Sequence, residues 1–188
     1  MDRLLLNVCC APCALPIIDY LINVEKRRLE RFSLYFYGPN IYPEAEYLKR
    51  LEEVRRIAVQ YGINFIEGGY DHNSWLVYLK ERLGSPLENY GENSERCQLC
   101  FKFRLLNTAE FAAENGFQEF AATLSVSRFK DVSAINAFGE ELAREYKLKY
   151  RTFPLNADEA HKKGLVLTKK FGVYRQKYCG CEFSFSPI

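Results

Sequence analysis

An excess of charge of one sign is missing from this sequence: 26 Lys and Arg stand against 24 Asp and Glu, a formal net charge of +2. Total charge therefore argues neither for nor against a polyanionic partner, and only its distribution carries information. No stretch approaches the ~20 apolar residues of a membrane-spanning helix. Met1-Asp2-Arg3 followed by an apolar run imitates a secretory or lipoprotein signal. Asn7, however, interrupts the run, and Val8 stands where a lipoprotein cleavage site needs a small residue before its cysteine. The expected compartment is the cytoplasm, with no membrane partner. Repeats, low-complexity tracts and linkers are missing too, so 188 residues with 48% hydrophobic content read as one domain, 1–188, able to close its own core. No Ser-His-Asp set, Walker loop or G-x-G-x-x-G fingerprint is found. The two histidines, His72 and His161, are isolated, and His72 beside Asp71 reads as a capping or surface residue rather than a ligand.

What is there instead is cysteine. Seven occur, in three groups: Cys9, Cys10 and Cys13; Cys97 and Cys100; Cys179 and Cys181. An odd number cannot pair fully, and a reducing compartment does not favour a disulfide framework. A lone cysteine is most simply an inert buried side chain, whereas tight clustering points to metal or redox chemistry. A spacing of three puts Cys97 and Cys100 on one helical face, and the Gly180 spacer lets Cys179 and Cys181 converge on one centre. The residues leave three readings open. A dithiol pair at Cys97-Gln98-Leu99-Cys100, activated by a helix N-terminus, leaves five thiols unexplained. Structural zinc closed by four ligands, for instance Cys97, Cys100, Cys179 and Cys181, leaves the first group unexplained. An iron-sulfur cluster takes four thiolates and leaves three, enough for a second, open metal; spacing alone does not divide the ligands. Packed thiolates repel unless cations offset them, which supports at least one metal in any case.

Hydrophobic periodicity predicts strands at 4–8, 33–37, 63–66, 120–124 and 150–153. Between them lie helices at 14–23, 44–61 (ended by Gly62), 74–83, 94–116 (capped by Ser94) and 131–146, with Pro16 tolerable only in a first helical turn. A short basic helical piece from Asp158 leads to the tail Tyr178-Cys179-Gly180-Cys181. Such alternation predicts an α/β fold: a doubly wound, mostly parallel sheet of about five strands with a cysteine-containing C-terminal tail. Ligands of such sheets bind beyond the carboxyl ends of the strands where the winding reverses. If strands one and four are neighbours there, Cys9–Cys13 and the segment Ser125–Lys130 share a crevice. Ser125, Ser127 and Lys130 then hold a substrate hydroxyl or phosphate, or serve as turn and capping residues.

Lys162, Lys163, Lys169, Lys170, Arg175 and Lys177 give six basic residues with no acidic one between Glu159 and Glu182. The stretch is either a solvated helix face or a contact for a phosphate backbone. Phe171, Tyr174 and Tyr178 interleave it, as base-stacking platforms or as core.

Four motifs together resemble the cobalamin-independent epoxyqueuosine reductases, the QueH family. They are Val8-Cys9-Cys10-Ala11-Pro12-Cys13; Arg96-Cys97-Gln98-Leu99-Cys100 with Arg104-Leu105; Thr123-Leu124-Ser125-Val126-Ser127 with Lys130; and Tyr174-Arg175-Gln176-Lys177-Tyr178-Cys179-Gly180-Cys181. Gly38-Pro39-Asn40-Ile41-Tyr42-Pro43 resembles the family's second-strand turn, with Gly38 where a polar residue is expected. The resemblance implies reduction of epoxyqueuosine to queuosine at the wobble position of tRNA, the last step of queuosine synthesis, by an enzyme of the oxidoreductase class. It implies a nucleotide-binding α-hydrolase (HUP or Rossmann-like) fold with Cys9–Cys13 in the place of a phosphate loop. The implied cofactors are a [4Fe-4S] cluster and a nearby mononuclear iron that binds the epoxide oxygen, with the seven cysteines as ligands, undivided between them.

The implied partners are tRNA carrying epoxyqueuosine in its anticodon loop and a low-potential electron donor. Ser125, Ser127, Lys130, Arg175 and Gln176 are expected on the substrate, and Lys162, Lys163, Lys169, Lys170 and Lys177 on the tRNA backbone. Tyr178 or a metal-bound water is expected as the acid. Two other classes fit the residues: a zinc-stabilised tRNA-binding module without redox activity, and a tRNA sulfur-transfer enzyme carrying persulfide on a thiol such as Cys97, against which the missing ATP-binding loop counts.

Overall fold

The computed structural model describes residues 2–184. Five strands, β1 (Leu4–Val8), β2 (Phe32–Phe36), β3 (Asn64–Glu67), β4 (Glu119–Ala122) and β5 (Lys149–Tyr150), form one sheet. It is parallel throughout, in the order β3-β2-β1-β4-β5. The central strands β1 and β2 are buried along their whole length, as expected of a sheet covered on both faces. Leu4, Leu6 and Val8 point into one core layer and Leu5 into the other, the period of two that a strand imposes.

Six α-helices cover the sheet among the described residues: α1 (Ala11–Asp19), α2 (Glu44–Tyr61), α3 (His72–Lys80), α4 (Glu95–Glu114), α5 (Val132–Glu145) and α6 (Ala157–Phe171). Buried side chains of α1, α2 and α6 share the layer of Leu4, Leu6 and Val8. Those of α3, α4 and α5 share the layer of Leu5. The chain winds outward from β1 through β2 to β3, then returns across α3 and α4 to place β4 on the opposite side of β1, paired Leu4↔Glu119 to Asn7↔Ala122. The reversal expected between the first and fourth strands is therefore present. No helix among the described residues is long and apolar enough to cross a membrane.

Several local expectations change. The first helix begins at Ala11, so Pro16 lies beyond the first turn and inside the helix. Lacking an N–H, Pro16 leaves the Pro12 carbonyl without its i+4 donor. Gly164 of α6 packs against that carbonyl, where a Cβ would stand 2.9 Å from the oxygen. α1 runs on into a π-helical turn, Tyr20–Val24. Ser94 occupies the N-cap of α4 but makes no capping bond; its hydroxyl donates to the Gly91 carbonyl at 2.7 Å. The fourth strand stops at Ala122, and Thr123–Val126 coil into a 3-10 turn. The fifth strand is only Lys149–Tyr150, an edge strand short of the expected 150–153, and its last ladder bond runs from Arg151 N–H to the Phe120 carbonyl at 2.9 Å. The basic piece is a full helix, α6, capped by the Asn156 side chain accepting from Asp158 and Glu159 N–H and closed by Gly172 at φ 59°.

Because Gly164 faces backbone rather than a movable side chain, Gly164→Ala must push α6 off α1. Thermal or denaturant unfolding is expected to show a loss of about 1–3 kcal/mol, the range of overpacked positions, although helix propensity alone favours Ala over Gly.

Candidate metal centre and cavity

A cavity of about 660 Å³ opens at the carboxyl ends of β1 and β4. Its walls come from the Cys9–Cys13 loop, the segment Thr123 to Lys130 after β4 without Ser125, the first half of α6 and the tail from Arg175 to Cys179, with Glu92 and Arg104 completing them.

Cys9 follows β1, Cys10 is the N-cap of α1, and Cys13 lies in its first turn. Their thiols adjoin one another in the order Cys9–Cys10–Cys13, close enough to perturb each other's proton affinity. The neighbouring Cys10 and burial hold Cys9 well above the usual thiol range, and Cys13, with burial, pushes Cys10 up to about 12.

Cys97 and Cys100 sit in the first turns of α4, and both are buried. Burial raises the Cys100 thiol, and the nearby Cys179, Cys181 and Cys97 add to the rise. Burial raises Cys181 as well, with Cys179 beside it. The tail thiols therefore share one electrostatic neighbourhood with the α4 thiols.

The tail is held there by α2. Arg50, 1% exposed, bonds Glu46 Oε1 at 2.7 Å through Nε and donates to the Cys179 carbonyl at 3.1 Å and the Tyr178 carbonyl at 3.4 Å. Tyr42 N–H donates to the Gly180 carbonyl at 2.7 Å. Gly180 adopts φ 122°, and a Cβ there would meet Arg50 Nη1 at 2.9 Å, so glycine is required on both counts. His72 is neither a cap nor a surface residue: Nδ1 lies 2.7 Å from the Pro39 carbonyl and Nε2 3.1 Å from Glu182 Oε1, tying α3 to the same tail. Asp71 is the cap, accepting from Ser74 N–H. Gly38, where a polar side chain was expected, lies against Ile41 and Cys9; a Cβ there would be 2.6 Å from Ile41 Cδ1.

Two polar residues that sequence reasoning left unassigned stand between the thiol groups. Arg104 is buried, and its Nη2 donates to Asn7 Oδ1 at 2.9 Å, while Asn7 Nδ2 donates to the Tyr37 carbonyl at 3.2 Å. Arg104 also lies close to Cys9, Cys100 and Cys179. The signals were present: Asn7 breaks an otherwise apolar central strand, and Arg104 follows Cys97 and Cys100 at i+7 and i+4, on the same face of α4.

Among the described residues, no group of three or more His, Cys, Asp or Glu side chains stands at metal-ligating geometry. The donor set nevertheless suits an iron-sulfur cluster in kind. Four thiols share one neighbourhood, and the buried Arg104 and half-buried Lys130 adjoin them to offset thiolate charge.

The other candidate residues divide. Ser127 and Lys130 line the cavity. Burial pushes Lys130 down, but the hydrogen-bonded Cys179 outweighs it, and the ammonium is held above its ordinary range. Ser125 is not in the wall; its hydroxyl donates to the Ala122 carbonyl at 2.7 Å, the turn role. Arg175, Gln176, Lys177 and Tyr178 line the cavity. Tyr178 donates its hydroxyl to the Tyr42 carbonyl, and burial first, then Glu46, push its pKa up to about 12.

Lys162, Lys163, Lys169 and Lys170 project from α6 outside the wall. Lys163 pairs with Asp19, and Lys170 lies 5.3 Å from the Phe171 ring. Tyr174 is committed to α2, its hydroxyl on Glu46 and its ring under Lys49, and Phe171 packs edge-on against Tyr61. At the cavity lies an aromatic pair the sequence did not single out, Phe129 edge-on to His161 at 5.8 Å.

The family model described as Epoxyqueuosine reductase QueH matches residues 4–186. A protein of that name from Histophilus somni is 35% identical over 184 residues, covering 97% of this chain and 72% of that protein. The namesake from Acinetobacter baylyi is 36% identical over 186 residues, covering 97% and 80%. That from Thermotoga maritima is 34% identical over 187 residues, covering 98% and 91%. Among solved structures, the U34-tRNA thiolase NcsA from Methanococcus maripaludis with its [4Fe-4S] cluster superposes with a TM-score of 0.57 at 15% identity, covering 98% of this chain and 62% of that one. At that identity the likeness is one of fold. The matched span contains all seven cysteines, including the four at the cavity over the β1–β4 reversal, and the chain belongs to the epoxyqueuosine reductase QueH family.

Proposed function

We propose that this protein reduces epoxyqueuosine to queuosine in tRNA. The observation that carries the reading is that Cys9, Cys10, Cys13 and Cys179 line one cavity over the β1–β4 reversal together with several cations, while Cys97, Cys100 and Cys181 adjoin Cys179 outside its wall. Conversion of an epoxide to an alkene and water needs two electrons and two protons. Cys97, Cys100, Cys179 and Cys181 would hold a [4Fe-4S] cluster, whose chemistry would be single-electron supply, and Cys9, Cys10 and Cys13 would hold a second iron, which would add Lewis acidity.

The chain's own residues do the rest. The cavity, about 660 Å³, is of a size to take one nucleoside turned out of its strand. Lys130, Arg175 and Lys177 give its wall positive charge for ribose-phosphate oxygens, and Ser127 and Gln176 offer hydrogen bonds to the modified base. Lys162, Lys163, Lys169 and Lys170 extend basic charge outside the wall for more distant phosphates. Tyr178 keeps its proton across the physiological range, as its raised pKa requires, and is proposed to deliver it to the leaving oxygen. A low-potential donor restores the electrons.

Anaerobic metal and acid-labile sulfide analysis with a visible spectrum tests the cofactor. Sulfide near four per chain, with iron in slight excess and a brown colour, is expected. Zinc alone, in protein that cannot be reconstituted with iron and sulfide, overturns the reading in favour of a binding module.

With epoxyqueuosine-containing tRNA and a low-potential reductant, Cys9→Ala and Cys179→Ala are each expected to abolish turnover. Full activity in either rules out the two-metal arrangement. Tyr178→Phe is expected to lower kcat by about 10²–10⁴, the usual contribution of a general acid, with iron and sulfide content unchanged. An unaltered kcat removes Tyr178 from the proton path.

A further inference from the structure

Arg104 is 3% exposed. A guanidinium does not escape burial by losing its proton, so a buried one needs an anion or a full set of acceptors. Of the other buried arginines among the described residues, Arg27 pairs with Glu25 at 2.7 Å and Glu119 at 2.8 Å, Arg50 pairs with Glu46 at 2.7 Å, and Arg96 has no carboxylate but donates to the Leu87 carbonyl at 2.6 Å and lies 4.5 Å from the Phe183 ring. Arg104 has no carboxylate either, and no such ring. Its neighbours are the neutral Asn7 carboxamide, 2.9 Å away, and the sulfurs of Cys9, Cys100 and Cys179, one from each of the three thiol groups. Its Nε finds no partner. It lines the same cavity as Cys9, Cys10, Cys13 and Cys179. Asn7 is itself fixed, since its Nδ2 is spent on the Tyr37 carbonyl, which leaves Oδ1 to hold the guanidinium.

We propose that Arg104 is a built-in counter-cation shared by the three thiol groups, oriented by Asn7, whose charge balances the thiolates once metal is bound and raises the reduction potential of the cluster held there. The inference rests on the cluster reading above and assigns the residue that tunes it. Metal ligands must be deprotonated, so loading itself creates the anions that Arg104 lacks in the metal-free chain. Charge beside a cluster shifts its potential, and a nearby cation favours the reduced, more negative state. Arg104 is thus out of balance without metal and in balance with it, whereas an arginine that merely fills space would matter equally in both forms.

The experiment compares Arg104→Met and Arg104→Lys with the wild type, each measured metal-free and after anaerobic reconstitution. The readouts are Tm and an EPR-monitored midpoint potential. Arg104→Met is expected to lower Tm in the loaded form and not in the metal-free form. Its midpoint is expected to move negative by at least a tenfold change in the reduction equilibrium, about 59 mV for a one-electron couple. Arg104→Lys, which keeps the charge and loses the planar fork, should fall between the two and supplies the midpoint if the Met variant folds but does not load. Equal Tm losses in both forms, or variant midpoints equal to the wild type, overturn the proposal while leaving the cluster reading intact. A wild type that takes up no iron and sulfide sinks the cluster reading, and this inference falls with it.

Discussion

The pairing of β1 with β4 is the constraint on which the rest of the site depends. Because β1 has its sequence neighbour β2 on one side and β4 on the other, the segments leaving the two strands part to opposite faces. Cys9–Cys13 lead into α1 on one layer, and Thr123–Lys130 lead toward α5 on the other. The gap between them cannot be closed by the connections themselves, which is the general origin of ligand sites at such reversals. The same winding brings in the second pair of thiols. A helix linking parallel strands begins at their carboxyl edge, so the N-terminus of α4, with Cys97 and Cys100, lies at the edge where β1 ends. Three structural facts of different origin thus converge on one place, and each follows from the strand order.

The tail has a different origin. α6 also starts at the carboxyl edge and so delivers Phe171 to the far edge, a helix length away. The chain then returns along α2 in the opposite direction. Arg56 donates to the Phe171 and Gly172 carbonyls, Glu53 accepts from Tyr174 N–H, Arg50 holds the Tyr178 and Cys179 carbonyls, and Tyr42 N–H reaches the Gly180 carbonyl. Charged residues of α2 that any helical wheel would assign to solvent serve as a ladder of donors and acceptors for an irregular strand. Backbone groups of an irregular segment need such partners when no sheet supplies them.

This accounts for what could and could not be read from the residues. Strand and helix order, the reversal at β1 and the spacing of Cys97 and Cys100 are properties of local pattern, and they were legible. The path of the tail was not, because it depends on which face of α2 receives it, and Arg50 at the centre of a charged run looks no different from Arg56. For the same reason the basic stretch could not be divided by inspection. Arg175 and Lys177 ride the returning tail into the cavity wall, while Lys169 and Lys170 stay on the last turn of α6. Ser125 and Ser127 are two residues apart in one motif, yet the 3-10 turn that ends β4 commits one hydroxyl to the Ala122 carbonyl and leaves the other at the cavity. Asn7 was visible only as an interruption of an apolar run. Its purpose appears once α4 is seen to lay Arg104 against that face of the sheet.

The two halves of the thiol set therefore rest on supports of unequal kind. Cys9, Cys10, Cys97 and Cys100 are anchored to elements whose burial is apolar and continuous with the core, and such regions open only with the whole fold. Cys179 and Cys181 are held by hydrogen bonds and ion pairs along α2 and α3, with apolar contacts limited to Val173, Cys181 and the partly buried Phe183 beside Trp75. Polar docking of this kind gains modest net stability. The tail is then the part of the site whose position is least determined by the fold alone and most open to stabilisation by whatever binds its sulfurs, since a ligand stabilises the arrangement it selects. Arg50 and Arg104 complete that logic from opposite sides: one fixes the backbone that carries the tail thiols, and the other supplies charge that only occupied thiolates can balance.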